Sequence, residues 1–302
     1  MKQVTKASIE RIRDLPMLPD IAAQVMASVS DPTSSMTDIQ GLIERDPALT
    51  AKLLKVANSA LFGMRRQIAT IQLALVVLGM NEVSSIVTSL SVFTAFCDMP
   101  DDELFDRKKF WEHSAGCGGI ARILSKRLGL KMEGREFVAG LMHDVGRILM
   151  DQYFHEEFVE IIERGQGGTG SIRDAEKEFL GASHDQIGGW LADRWGLPDA
   201  LIEAVACHHE PTRAEIDRSL TAVVHLSDLL CRAKGIGFSG ETEGFSIVDD
   251  AAWKLLAEDH PKLEDMDIER FTFELDEEIE KAMEFIRISA SQPTSGGEEM
   301  PC

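Results

Sequence analysis

The sequence predicts an all-α protein, and three features of it support that fold class. Apolar residues recur at helical spacings through most of the chain, as at Ile21, Val25 and Val29. Capping residues, prolines and glycines stand where these apolar stretches begin and end. No stretch of alternating apolar and polar residues is long enough to indicate a sheet.

In the first hundred residues, capping signals set the expected helix boundaries. Asp46-Pro47 predicts a helix start, because aspartate caps the first turn and proline fits the first helical position. Thr70 is expected to cap the next helix, which Gly79 should end. We expect Asn81 to cap a longer helix that continues through Phe93.

The middle of the chain continues in the same way. A helix is predicted from about Phe105 to Leu128, and its small residues should let another helix approach closely; they are Ala115, Gly116, Gly118 and Gly119. Ser171 and Gly181 should bound one further helix, and Ser183 should open another. The apolar stripe of a last helix, from Ile268 to about Ser289, should pack on the body of the protein.

Composition excludes several classes of function. The 302 residues include 31 Lys plus Arg against 51 Asp plus Glu, a net charge of −20. A chain this acidic can hardly assemble the basic face that binds nucleic acid or an anionic membrane surface. Its five cysteines form no CxxC pair, and no run of about 18 apolar residues occurs. We therefore expect reduced thiols and a cytoplasmic location.

Histidines and aspartates on apolar helices form the candidate site. His143 and Asp144 stand side by side in an apolar run, where both are costly to bury unless something satisfies them. A divalent transition metal does so well. Others embedded in or abutting apolar helices complete a set of seven: His113, His143, Asp144, His184, His208, His209 and Asp228. Cys207 could add a soft ligand, but packing is the favoured interpretation.

A family resemblance rests on blocks in the first hundred residues. Leu15-Pro16-Met17-Leu18-Pro19, the segment from Asp46 to Ser59 and the Ile71–Gly79 helix resemble the HDOD family, the HD-related output domains of bacterial signalling proteins. The resemblance extends to about Arg232. It implies an N-terminal helical bundle packed on an HD-like helical half, used as a signalling output.

The order of the seven residues resembles that of the HD superfamily of metal-dependent phosphohydrolases, and of its HD-GYP branch. The resemblance implies that Asp144 bridges two metals. His113, His143 and Asp228 would complete one metal shell, and His184, His208 and His209 would supply the second. One or two ions of iron, manganese, nickel or zinc suit such ligands. Metals in this arrangement could activate water for attack on a phosphoester.

The chain also departs from the active HD-GYP pattern. Arg147 stands where that branch has lysine, and Pro211-Thr212-Arg213 replaces the segment that gives the branch its name. Lys109 stands where a third metal would need a glutamate. The departures favour a regulatory module without turnover. If the protein is an enzyme, Asp144 and Arg147 are the candidate catalytic residues.

Two interpretations of function therefore stay open. The first is a non-enzymatic HDOD-type module that retains the metal site and acts mainly through another signalling protein. The second is a metal-dependent phosphohydrolase or phosphodiesterase, which would need a polar mouth above the metals. We expect three regions: an HDOD-specific half at 1–100, an HD-like half at 101–235, and a helical extension at 236–302 with a disordered acidic tail. A homodimer is left open.

Overall fold

The computed structural model describes residues 3–97, 104–166, 171–236, 246–263 and 266–291. These residues contain no strand, which confirms the all-α prediction. Residues 98–103, residues 237–245 and the expected acidic tail at 292–302 lie outside the described residues. Short 3-10 turns occur at Pro211–Arg213 and Pro261–Leu263.

Six helices form the N-terminal part: α1 Lys6–Glu10, α2 Asp20–Ser30, α3 Met36–Ile43, α4 Pro47–Ala57, α5 Ile71–Leu78 and α6 Met80–Cys97. The next eight carry the candidate site: α7 Arg107–Leu128, α8 Arg135–Met142, α9 Val145–Tyr153, α10 His155–Gln166, α11 Ile172–Leu180, α12 His184–Arg194, α13 Asp199–Cys207 and α14 Arg218–Ala233. Two more follow: α15 Ala251–Asp259 and α16 Ile268–Ala290.

Most predicted caps are confirmed. The Asp46 carboxylate accepts hydrogen bonds from the backbone N–H groups of Ala48 and Leu49 at the start of α4. Thr70 caps α5, and Gly79 ends it with a φ of 90°, a value that favours glycine. The prediction for Asn81 was wrong. Helix α6 already begins at Met80, and the Asn81 side chain instead donates to Glu133 at 2.6 Å.

Helix α7 lies at the centre of the second part of the chain and packs against α8, α14 and α16. Its small residues permit the predicted close crossings. A Cβ atom on Gly140 of α8 would lie only 2.7 Å from Cα of Gly118, and one on Gly119 would lie 2.7 Å from Cβ of Ala282 on α16. Because these glycines have no side chain, α8 and α16 can pack unusually close to the backbone of α7.

A second close crossing joins α9 to α12. A Cβ atom on Gly146 would lie 2.0 Å from the backbone oxygen of His184, closer than any real contact allows. Only glycine fits this position. Because Asp144 immediately precedes α9 and His184 begins α12, this crossing also brings two candidate ligands together.

Helix α16 packs on α7 and also on α4 and α6. Phe271, Leu275 and Ile279 of its predicted apolar stripe are buried, so the stripe covers the chain's own body. At the other end, Val4 N–H donates to the Leu180 carbonyl and α1 packs on α12. Within the described residues no single helix is long and apolar enough to cross a membrane. The pair α5 and α6 passes by length and composition together but is bent by 118°.

Candidate metal centre

Side chains from five places in the fold meet in the interior of the second part of the chain. His113 lies in α7, His143 and Asp144 lie in the break between α8 and α9, and His184 begins α12. The remaining three are His208 and His209 at the end of α13, and Asp228 in α14. His113, His143, His184 and His208 are fully buried, and His209 is half-buried.

The two carboxylate oxygens of Asp144 face different groups of ligands. Its Oδ2 atom lies 3.6 Å from Nε2 of His143 and 4.0 Å from Nε2 of His113. Its Oδ1 atom lies 3.0 Å from Nε2 of His184 and 3.8 Å from Nε2 of His208. A carboxylate placed in this way can contribute one oxygen atom to each of the two groups of ligands.

The first group also contains Asp228. Its Oδ1 atom lies 3.1 Å from Nε2 of His113 and 3.9 Å from Nε2 of His143. In the second group, Nε2 of His209 lies 2.8 Å from Nε2 of His184. Two sets of donor atoms each fall within 4.8 Å of one another: His113, Cys117, His143 and Asp228 in one, and Asp144, His184, His208 and His209 in the other.

Three imidazoles are oriented by backbone carbonyls that contact their outer nitrogens. Nδ1 of His143 lies 2.7 Å from the Gly140 carbonyl, and Nδ1 of His208 lies 2.8 Å from the Val205 carbonyl. Nδ1 of His113 lies 3.2 Å from the Ile236 carbonyl. A carbonyl oxygen can only accept, so each Nδ1 carries a proton and donates it. In its neutral form, a ring held in this way presents a lone pair at Nε2, which is the tautomer that binds metal.

Two of the inward nitrogens have no hydrogen-bond partner among the residues that the structure describes. Nε2 of His143 and Nε2 of His208 are buried without a hydrogen bond. Buried polar atoms are rarely left unsatisfied. An ion bound between the imidazoles and carboxylates would satisfy both nitrogens, and mixed nitrogen and oxygen donors are typical ligands of first-row divalent metals. The residues present therefore fit a metal ion.

The cluster carries both acidic and basic groups that stabilise one another. Burial raises the pKa of Asp144, but the Arg147 guanidinium and the neighbouring histidines outweigh it and hold that pKa well below its usual value. Burial and Arg147 lower the pKa of His184, yet Glu176 and Asp144 raise it to about 10. Burial and the adjacent His209 keep the pKa of His208 well below its usual value.

Arg147 is buried inside the site instead of facing solvent. Its Nη1 atom lies 3.0 Å from Oδ2 of Asp144, and its Nε atom lies 3.8 Å from Oε1 of Glu176. Two further arginines, which could in principle line a polar mouth, have partners in other parts of the fold. Arg122 donates to Glu82 at 2.6 Å, and Arg194 donates to the carbonyls of Ile9 and Ile12.

Two residues at the site, Cys117 and Glu176, are not identified by the sequence prediction. Cys117 joins the first donor group, whereas Cys207, the cysteine considered from sequence, belongs to neither. The sequence feature that could have identified Cys117 is its position one helical turn after His113, on the same face of α7. Glu176 is buried and accepts from both Nδ1 and the backbone N–H of His184, at 2.7 and 2.8 Å.

His225 lies in α14, one turn before Asp228. Its Nδ1 atom lies 2.6 Å from the His208 carbonyl, and its Nε2 atom lies 3.1 Å from the Asp250 carboxylate. His225 therefore holds the backbone of a candidate ligand in place.

Two curated proteins with similar sequences align with this chain over only part of their own length. An uncharacterized protein of Treponema pallidum (strain Nichols) is 29% identical over 237 residues, 76% of this chain and 45% of the relative. Ribonuclease Y of Aquifex aeolicus (strain VF5) is 34% identical over 100 residues, 32% of this chain and 12% of the relative. The chain thus spans less than half of the length of these curated relatives.

Solved structures share the fold over nearly the whole chain. An HDOD domain protein of unknown function from Geobacter sulfurreducens matches with a TM-score of 0.77 and 25% identity, covering 94% of this chain and 96% of that one. A protein of Shewanella amazonensis SB2B, provisionally described as a phosphohydrolase, matches with a TM-score of 0.70 and 24% identity over 94% and 98%. The HDOD domain model matches residues 15–211, so the chain belongs to the HDOD family.

Proposed function

We propose that this chain is an HDOD-type regulatory module that retains an HD-like metal centre and acts mainly by binding another signalling protein. The closed form of the site carries the proposal. Four of its histidines are fully buried, and the side chain of Arg147 is only 2% exposed. A phosphoester substrate would need access to the ligand atoms, which the burial of these side chains restricts.

The polar groups that could have lined a substrate mouth support the same proposal. The Arg147 guanidinium occupies the space beside Asp144 and Glu176, so its hydrogen-bonding edge is turned toward buried carboxylates. Arg122 and Arg194 are held by acidic groups and backbone carbonyls in other parts of the fold. A module without turnover has no need of a cationic mouth.

In this proposal the metal centre holds one or two divalent transition ions. His113, His143 and Asp228 would hold one ion and His184, His208 and His209 the other, with Asp144 between them. Iron, manganese, nickel and zinc all accept imidazole and carboxylate ligands. A bound ion would satisfy the buried nitrogens of His143 and His208 and so couple the folding of five separate segments of the chain.

The outer face of α5 is the surface on which we place the partner protein. Leu73, Val76 and Val77 follow the i, i+3, i+4 spacing of one helix face, and they are 39%, 64% and 50% exposed. Apolar side chains exposed side by side are typical of protein-binding sites. Helix α5 packs on α6, which in turn packs on α8, the helix that precedes His143.

A metal-dependent phosphohydrolase is the second candidate function. The placement of Asp144 favours it, since its two oxygens face separate donor groups as a bridging ligand would. His209, at the edge of the site, is half-buried, so one side of the second group approaches the surface. Two bound metals would there supply Lewis acidity toward a phosphoryl oxygen and activation of water.

Metal analysis paired with a hydrolysis screen tests the two functions. Protein purified without a histidine tag should contain transition metal, and Asp144→Ala should lose it. We expect no turnover of cyclic dinucleotides, nucleotides or generic phosphoesters by the metal-loaded protein. Turnover that Asp144→Ala abolishes would establish the phosphohydrolase instead, and protein that binds no metal would contradict both candidates.

The partner surface is tested separately. The Val76→Asp variant should lose partners that the metal-loaded wild-type chain retains in quantitative pull-downs, with the melting temperature unchanged because the side chain is exposed. Ile216→Asp is the matched control, since Ile216 is 61% exposed outside α5. Equal loss in both variants would show non-specific adhesion.

A further inference from the structure

We propose that Cys117 is a thiolate ligand of the first metal subsite, which therefore has a sulfur donor that the second subsite lacks. The inference rests on the metal centre of the proposed function and specifies its chemistry. The first subsite then comprises two imidazoles, one carboxylate and one thiolate, from His113, His143, Asp228 and Cys117.

Donor spacing supports this assignment. Sγ of Cys117 lies 3.6 Å from Nε2 of His113, and one donor atom of each of the four residues lies within 4.8 Å of the others. Zinc binds sulfur at about 2.3 Å and histidine nitrogen at about 2.0 Å, so tetrahedral geometry separates these donors by about 3.5 Å. The observed distance therefore suits two ligands of one ion.

The helix geometry directs the thiol into the site. Cys117 follows His113 by four residues in α7, so both side chains lie on the same face. Cys117 is completely buried. The close crossing of α7 and α8 at Gly118 and Gly140 brings His143 toward that face. Sequence position and helix crossing thus place all of these donors around one point.

An independent observation indicates that this point holds a ligand. Nε2 of His143 is fully buried, has no hydrogen-bond partner in the described part of the chain, and lies 3.6 and 3.9 Å from carboxylate oxygens of Asp144 and Asp228. If Cys117 and His113 only formed a hydrogen bond with each other, Nε2 of His143 would still have no partner. A cation satisfies it, and formation of the metal–sulfur bond releases the thiol proton to solvent.

The second subsite differs in chemistry because its donors are three imidazoles and the Asp144 carboxylate. Thiolate ligands select zinc and other borderline or soft ions, whereas nitrogen and oxygen donors also accept manganese. We therefore expect the two subsites to differ in selectivity. The first should retain zinc or cobalt under chelation that empties the second.

Cobalt(II) substitution tests the sulfur ligand. Wild-type protein loaded with cobalt(II) should develop a near-ultraviolet sulfur-to-cobalt charge-transfer band. The Cys117→Ser variant should lose this band while it still binds cobalt at the second subsite. Cys231→Ser and Cys207→Ser are the matched controls and should keep the band. Cys231 lies beside the site, where its thiol contacts the His113 carbonyl at 3.6 Å, but belongs to neither donor group.

The outcomes separate this inference from the proposed metal centre. Wild-type protein that binds cobalt without the band, or Cys117→Ser protein that keeps it, would overturn the sulfur ligand and leave the metal centre standing. Protein that binds no cobalt would overturn both. X-ray absorption of the zinc-loaded wild type needs no variant. It should show a zinc–sulfur distance of about 2.3 Å. A spectrum without a zinc–sulfur contribution would overturn the assignment.

Discussion

The Nη1 atom of Arg147 lies 3.0 Å from Oδ2 of Asp144, the same oxygen that faces His113 and His143. A buried cation therefore shares this carboxylate oxygen with the first donor group. In the absence of metal the guanidinium neutralises part of the negative charge of Asp144 and Glu176. With metal bound, it adds a positive charge close to the ion.

Replacement of Arg147 by methionine should separate these two effects. The metal-free Arg147→Met protein should lose about 3–5 kcal/mol of unfolding free energy, because two buried carboxylates lose their counter-charge. Its affinity for divalent metal should rise, since the nearby positive charge is gone. Denaturant unfolding and metal titration measure the two quantities.

Arg164→Met is the control for this variant. Arg164 forms an exposed ion pair with Glu178, so its loss should change stability by less than about 1 kcal/mol. If Arg147→Met were as stable as the control in the absence of metal, the charge balance inferred for the site would be wrong.

Gly146→Ala tests the crossing of α9 and α12. The added methyl group would collide with the backbone oxygen of His184, and the helices would have to separate. We expect a loss of about 3 kcal/mol of unfolding free energy and weaker metal binding by the second donor group. Thermal and denaturant unfolding check the first effect, and metal titration checks the second.

Gly41→Ala provides the matched comparison. Gly41 is exposed in α3, and a Cβ atom built there meets nothing within 4 Å. Alanine should stabilise this helix by about 0.5–1 kcal/mol. Equal effects of the two substitutions would show that the close crossing at Gly146 contributes little.

Glu176→Gln tests the orientation of His184. The Glu176 carboxylate accepts from Nδ1 of His184 at 2.7 Å and fixes which ring nitrogen faces the site. Loss of its charge should weaken metal binding by the second donor group about 10–100-fold. Competition titration with a chromophoric chelator measures the change. Glu178→Gln, on the exposed side of α11, should leave the metal affinity unaltered. An unchanged metal affinity in the Glu176→Gln variant would refute this role of Glu176.

Glu136→Gln should alter the pH dependence of stability. Burial raises the pKa of Glu136 above its usual value, although Arg122 opposes the shift. The Oε2 atom of Glu136 has no hydrogen-bond partner among the described residues. A raised folded-state pKa means that the stabilising contribution is present at pH below the unfolded value of about 4.5 and is lost as pH rises through the folded value. Unfolding of metal-free protein from pH 4 to 8 checks this.

The wild type should therefore lose more stability with rising pH than the Glu136→Gln variant does. Glu160→Gln, on an exposed position of α10, controls for the loss of one negative charge. Parallel pH profiles for the wild type and Glu136→Gln would show that the burial of this carboxylate has no energetic consequence.

Local chemistry was sufficient to predict most of the helices. Asp46, Thr70 and Ser171 cap the helices predicted to follow them, because each cap bonds backbone groups only two or three residues away. Asn81 fails as a cap because a residue distant in sequence, Glu133, binds its side chain. Long-range partners of this kind are invisible to a local pattern.

The sequence by itself determined the helical fold class and the chemical character of a cluster built from histidines and aspartates. Only the tertiary structure decided how that cluster is arranged. It divided the two oxygens of Asp144 between two donor groups, added Cys117 and Glu176, and buried Arg147 against Asp144. The physical reason is that helix crossings at Gly140 and Gly146 set these distances, and such crossings depend on backbones far apart in the chain.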